Sequence, residues 1–147
     1  MFVNVNPGAR QWRPNLIGYD GLRVYGSPSY YAIKMFSTNL GDEILKTTTT
    51  DTEVLTSVTR DSKSGMIYAK LVNASDADAP VQITVTGTST LASTATALTL
   101  AGDPQATNAI ETPERVVPVT STVTSVTSGF TYTVPKHGIV VLTMRTR

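Results

Sequence analysis

The 147-residue chain has no cysteine, which excludes disulfides, thiolate catalysis and cysteine zinc sites. Its single histidine, His137, leaves no multi-histidine metal site within one chain. Charge is scarce: charged residues make up 16% and the formal net charge is +1. A nucleic-acid binder carries a strong basic excess, so no nucleic-acid partner is expected. No apolar run approaches the roughly 20 residues that a membrane helix needs, so no membrane partner is expected either. The opening residues, Met1-Phe2-Val3-Asn4-Val5-Asn6-Pro7-Gly8, lack the basic start, long apolar stretch and small-residue cleavage site of a signal peptide. A Gly-x-Ser-x-Gly elbow, a phosphate loop and a His-Glu-x-x-His pair are all missing. Neither a cofactor nor a metal is expected.

The chain is nonetheless long enough for about one domain, and a 40% hydrophobic fraction is enough to build a core. Its character changes partway. Seven of the ten aromatic residues fall in the first 36 positions: Phe2, Trp12, Tyr19, Tyr25, Tyr30, Tyr31 and Phe36. That stretch also carries Arg10, Arg13, Arg23 and Lys34 against Asp20 alone. Beyond residue 46 threonine, serine and valine dominate, which places a boundary near 38–46.

The first part reads as strand, turn and helix. Asn15-Leu16-Ile17-Gly18-Tyr19 has the composition of a short buried strand. Ser27-Pro28 can cap and open a helix over about 28–38, with Tyr31, Met35 and Leu40 on one side and Asn39-Leu40-Gly41 as its stop. The second part reads as all-β. Strands are expected at Val54–Arg60, Met66–Asn73, from Val81, at Ala95–Leu100, Arg115–Val119, Ser121–Val126, Phe130–Val134 and Gly138–Met144. Asp61-Ser62-Lys63-Ser64-Gly65 reads as a hairpin turn, and 101–114 as a long loop. The fold class is therefore mainly β: a jelly-roll-like antiparallel β-sandwich with one N-terminal α-helix. The threonine tracts suit the solvated face of such a sheet, and they show no fixed repeat.

Chemistry is thinly signalled. Most of the acids sit in expected turns, where solvation explains them. Asp20 closes an apolar strand and suits a turn cap. His137 precedes the last strand and reads as a turn residue. The best local constellation is Gln11-Trp12-Arg13-Pro14-Asn15. An indole face can stack on the C–H face of a sugar, and Gln11 and Asn15 can both donate to and accept from hydroxyls. A buried tryptophan anchoring a loop explains the same residues.

Asn4-Val5-Asn6-Pro7-Gly8, Gln11 to Asp20 and Tyr25-Gly26-Ser27-Pro28-Ser29-Tyr30-Tyr31-Ala32 closely resemble the C-terminal part of α-L-arabinofuranosidases of glycoside hydrolase family 51. Val58-Thr59-Arg60-Asp61, Ile67-Tyr68, Lys70-Leu71-Val72-Asn73 and Val117-Pro118-Val119 also look like that family's closing β-domain. The resemblance implies that residues 1–46 are the last strand and helix of a catalytic (β/α)8 barrel and 47–147 a C-terminal β-sandwich. It implies that both catalytic glutamates belong to earlier barrel strands. None of Glu43, Glu53, Glu111 or Glu114 matches their motifs, so no catalytic residue is assigned in this chain. Gln11, Trp12 and Asn15 become candidate substrate-binding residues. Arabinan or arabinoxylan becomes the expected polysaccharide partner, and a secreted or periplasmic enzyme the expected parent. Two other readings are a stand-alone carbohydrate-binding module and a hydrolase or esterase built on His137. Apolar residues cut off from a barrel would be buried against the sandwich or between two copies of residues 1–40.

Overall fold

The computed structural model describes residues 16–50, 53–87 and 90–146. Ten strands and one helix follow in order: β1 Ile17–Tyr19, β2 Val24–Gly26, α1 Pro28–Thr38, β3 Glu43–Ile44, β4 Val54–Arg60, β5 Met66–Asn73, β6 Ala79–Thr84, β7 Thr94–Ala101, β8 Val119–Thr124, β9 Gly129–Val134 and β10 Gly138–Arg145. Every pairing between these strands is antiparallel. The large sheet has the order β3-β4-β5-β10-β7-β8, and β6-β9 form a small sheet. β1 and β2 form a separate hairpin.

Alternation of side chains along the central strands builds the layers. On β5, Ile67, Ala69 and Leu71 point to one face of the large sheet, as do Val140, Leu142 and Met144 on β10. They meet Phe130 and Val134 of the small sheet, with Val81, Ile83 and Tyr132 packed alongside. This is the sandwich core. The opposite face of the same strands presents Tyr68, Val141, Ile139, Leu98 and Leu100 to α1. The central strands are thus buried on both sides, and the helix forms a third layer.

The helix forms where its signals place it. The Ser27 hydroxyl accepts from the Tyr30 N–H at 3.1 Å, and Pro28 occupies the first turn. At the other end the Asn39 side-chain amide donates to the Met35 carbonyl at 2.8 Å, so asparagine, rather than a left-handed glycine, closes the helix. Gly41 serves a different need. A Cβ there would lie 2.1 Å from the Arg60 carbonyl oxygen, so only glycine lets the chain pass β4 this closely. Leu40 does not join the buried stripe and is 57% exposed; Met35, Tyr31, Ala32 and Phe36 form it instead.

Two expectations need correction. Residues 115–118 are not a strand. Pro118 has no N–H to give a ladder, and the Val116 N–H is taken by the Asn108 side chain at 2.7 Å. The following strand then runs over Val119–Thr124 instead of 121–126, because Ser125 turns the chain at φ 58°. The short strands β2 and β3 were missed because two or three residues carry no periodicity. The 61–65 turn forms as expected. Asp61 Oδ1 accepts from the N–H groups of Lys63 and Ser64 at 2.9 and 3.0 Å.

Candidate functional site

Gln11, Trp12 and Asn15 lie outside the described residues. The described structure starts beside them, at the hairpin of β1 and β2. Its turn is built around Asp20, whose Oδ1 accepts from the N–H groups of Leu22 and Arg23 at 2.8 and 2.7 Å. Arg23 also pairs with Oδ2 at 3.1 Å. Backbone donation from Leu22, then from Arg23, holds the Asp20 carboxyl below its ordinary value. Asp20 is a charged turn cap, so its place at the end of an apolar strand has a structural explanation. Under the hairpin the Tyr25 ring lies directly on Gly18, where a Cβ would come within 2.3 Å of the Tyr25 Cζ. The hairpin is closed by the Ser27 N–H on the Leu16 carbonyl at 2.8 Å.

The hairpin is fastened to the sandwich from a distance. The connection 102–118 between β7 and β8 carries no strand or helix, yet it is ordered by its own bonds. Asp103 caps its start through the Gln105 N–H at 2.7 Å, and Ala109 and Thr112 exchange backbone bonds. Asn108, 5% exposed, donates to the carbonyls of Gly26 and Val116 at 2.8 and 2.9 Å and accepts from the Val116 N–H. The sequence offered no signal for it beyond one asparagine in a long loop.

The other candidates separate. His137 Nε2 lies 3.0 Å from Asp76 Oδ1, and the His137 N–H reaches the Ser75 carbonyl at 3.3 Å. The Ser75 hydroxyl itself is bonded to Asn73 Oδ1 at 2.8 Å. Histidine and carboxylate therefore meet, but the nearby serine is engaged elsewhere and no triad is assembled. Asp42 and Asp61 are also held below their ordinary values. The causes are the hydroxyl and N–H of Ser62 for Asp42, and the N–H groups of Ser64 and Lys63 for Asp61. Among the described residues no group of three or more His, Asp or Glu could hold a metal ion. Among them, too, no helix is long and apolar enough to cross a membrane. The sandwich aromatics do not make a sugar platform together. Tyr68 faces α1, whereas Tyr132 faces the opposite core with its hydroxyl 3.5 Å from Thr99 Oγ1. A cleft of about 780 Å³ opens beside β6, rimmed by Thr47, Thr48, Thr49 and Thr50. Its floor, Ile67, Ala69 and Leu71, belongs to the sandwich core.

Residues 1–138 match the family described as Alpha-L-arabinofuranosidase C-terminal domain. The chain belongs to that family. It is 36% identical over 135 residues to α-L-arabinofuranosidase A of Aspergillus niger, covering 90% of this chain and 21% of that enzyme. An extracellular exo-α-L-arabinofuranosidase of Streptomyces chartreusis is 42% identical over 90 residues, which is 61% of this chain and 11% of that protein. Among solved structures, the arabinose-bound MgGH51 α-L-arabinofuranosidase superposes with a TM-score of 0.86 at 35% identity, over 93% of this chain and 22% of its own. The enzyme of Thermotoga petrophila RKU-1, at 19% identity and a TM-score of 0.76, shares the fold. The chain thus spans between 11% and 21% of the length of these curated relatives. It is a C-terminal domain of the glycoside hydrolase family 51 arabinofuranosidases, and the resemblance read from its first 36 residues holds.

Proposed function

We propose that this chain is the non-catalytic C-terminal part of an α-L-arabinofuranosidase that acts on arabinose-containing hemicellulose. In this reading residues 1–46 hold the last strand and helix of the catalytic barrel and end in β3, the edge strand of the large sheet, and 47–147 complete the sandwich that supports the barrel. Gln11, Trp12 and Asn15 line the end of the sugar pocket. The catalytic acid and nucleophile come from the remainder of the enzyme.

One observation carries the reading: residues 1–138 match the C-terminal domain of these enzymes, and the chain spans only 21% of the Aspergillus niger relative. The turn acids agree with it. A retaining glycosidase needs a carboxyl held protonated beside a second carboxylate about 5–5.5 Å away. Among the described residues, the acids whose affinity for protons is displaced, Asp20, Asp42 and Asp61, are all displaced the other way. Each is fastened as an anion into a backbone turn. They suit a scaffold and not proton donation.

The exposed apolar residues support a covered surface. Leu22 is 96% exposed, with Val24, Ile33 and Leu40 also open to water. In the parent this surface meets the rest of the enzyme, and in the isolated chain two copies bury it through residues 1–40.

The test is to incubate the purified chain with an aryl arabinofuranoside, arabinoxylan and debranched arabinan. Released sugar and heats of binding are measured together. No release is expected. Arabinose release that disappears on substituting residues of this chain would overturn the reading. Saturable binding without release would make the chain a polysaccharide-binding module. A light-scattering mass of one chain would refute the pairing.

A further inference from the structure

We infer that Asn108 is a positioning residue: through Gly26 it fixes the β1–β2 hairpin on the sandwich, and with it the point where the substrate-side segment enters the fold. The inference rests on the proposed function only in naming that segment substrate-side. The bonding itself belongs to this chain.

Among the described residues β1 pairs only with β2, and neither strand joins the large or the small sheet. The outer surface of the hairpin is open at Leu22 and Val24. Among the contacts that fasten it are the buried Tyr25 ring, α1, which follows β2 directly and packs on the large sheet, and the Asn108 amide on Gly26. Of these, Asn108 is the one that comes from the sandwich side, 82 residues further along the chain.

The amide orientation is not arbitrary. The Val116 backbone N–H can only donate, so the atom facing it is Oδ1. Nδ2 is left facing two carbonyls, Gly26 and Val116, and it has one hydrogen for each. Every polar atom of the side chain is used and none is spare. Val116 in turn packs against Met35, Leu100 and Val141. A single side chain therefore links the β2–α1 junction to a loop that is itself seated on the large sheet. Long connections of this kind that are well ordered are commonly put to use. Residues 11–15 precede Leu16 and β1 in the chain, so the hairpin sets where that segment joins the fold.

The experiment is site-resolved hydrogen exchange on the full chain, comparing Asn108→Asp and Asn108→Leu with the unaltered protein at neutral pH. Asn108→Asp keeps the acceptor for Val116 but turns an oxygen toward both carbonyls. Asn108→Leu removes all three bonds at similar volume. In both variants the amides of Asp20 and Ser27 should exchange at least about tenfold faster, the equivalent of one lost buried hydrogen bond. Those of β5 and β10 should stay within about twofold. Unchanged hairpin exchange in either variant would overturn the inference. So would a common rise across hairpin and sandwich, or loss of the folded state in both variants, because Asn108 would then support the whole fold and not the hairpin's position. None of these outcomes depends on the parent's substrate, so the sugar-release assay stands or falls separately.

Discussion

Replacing Met35 by alanine tests whether the helix is part of the sandwich or merely attached to it. Met35 is 2% exposed and is the buried residue of α1, packed on Leu100, Val116 and Val141. Truncation removes three heavy-atom groups from this contact. At about 0.8 kcal/mol for each buried group, the transfer loss is roughly 2.4 kcal/mol. A residual void of ~40 Å³, at about 24 cal/mol per Å³, adds roughly 1 kcal/mol. The expected cost of about 3.4 kcal/mol should lower the thermal midpoint of a chain this size by roughly 7–14 °C. The control is Ile33→Ala on the same helix, where a side chain already 54% exposed should cost less than about 1 kcal/mol. Denaturation followed by far-ultraviolet circular dichroism and by exchange at β10 amides should give one shared, lowered midpoint. A Met35→Ala protein whose strands melt where the unaltered strands do, while helical signal is lost alone, would refute the third layer as part of one cooperative core.

Acid should weaken the fold through its turns. Asp20, Asp42 and Asp61 bind protons less readily folded than their ordinary value of 3.8. Their contribution is therefore complete above that value and drains as pH falls through the lower folded values. A thermal midpoint measured from pH 6 to pH 2 should drop most steeply below about 3.8, and Asp42→Asn should shallow that drop; an unchanged slope would count against the Ser62 bonds as its source. Gly41→Ala should destabilise by about 1–3 kcal/mol or more, since its Cβ would strike Arg60 backbone that cannot rotate away. Gly21→Ala, with nothing within 4 Å, should stay within about 0.5 kcal/mol, and equal midpoints for the two would show that β4 can move aside.

The legible parts of this fold are those with period and punctuation. Val54–Arg60 and Met66–Asn73 were bounded correctly because strand-forming runs of seven and eight residues flank an Asp…Gly turn. The helix was legible because Ser27, Pro28 and Asn39 act locally. The loop at 115–118 was misread because Val116 and Val117 have strand composition, while the decisive bond comes from Asn108, a partner eight residues away. The same is true of Gly41, whose stop-signal reading conceals a steric demand set by β4. At the candidate site the turn roles of Asp20 and His137 were legible in the sequence, whereas their side-chain partners, Arg23 and Asp76, were not. Family membership was legible in the first 36 residues because their motifs are specific, and the threonine-rich strands follow propensity that many sheets share.

Strand order also has a consequence in time. β10 is the last of the ten strands to be synthesised, yet it lies in the middle of the large sheet, between β5 and β7. Until it arrives, β5 and β7 have no common neighbour, and the apolar side chains of both cores face water along two unpaired strand edges. Closure therefore requires contacts between segments far apart in the chain, which slows folding and lengthens exposure to aggregation. A nascent or partly degraded chain lacking β10 should be the form that chaperones hold and proteases remove, even though it retains most of the residues of the finished domain.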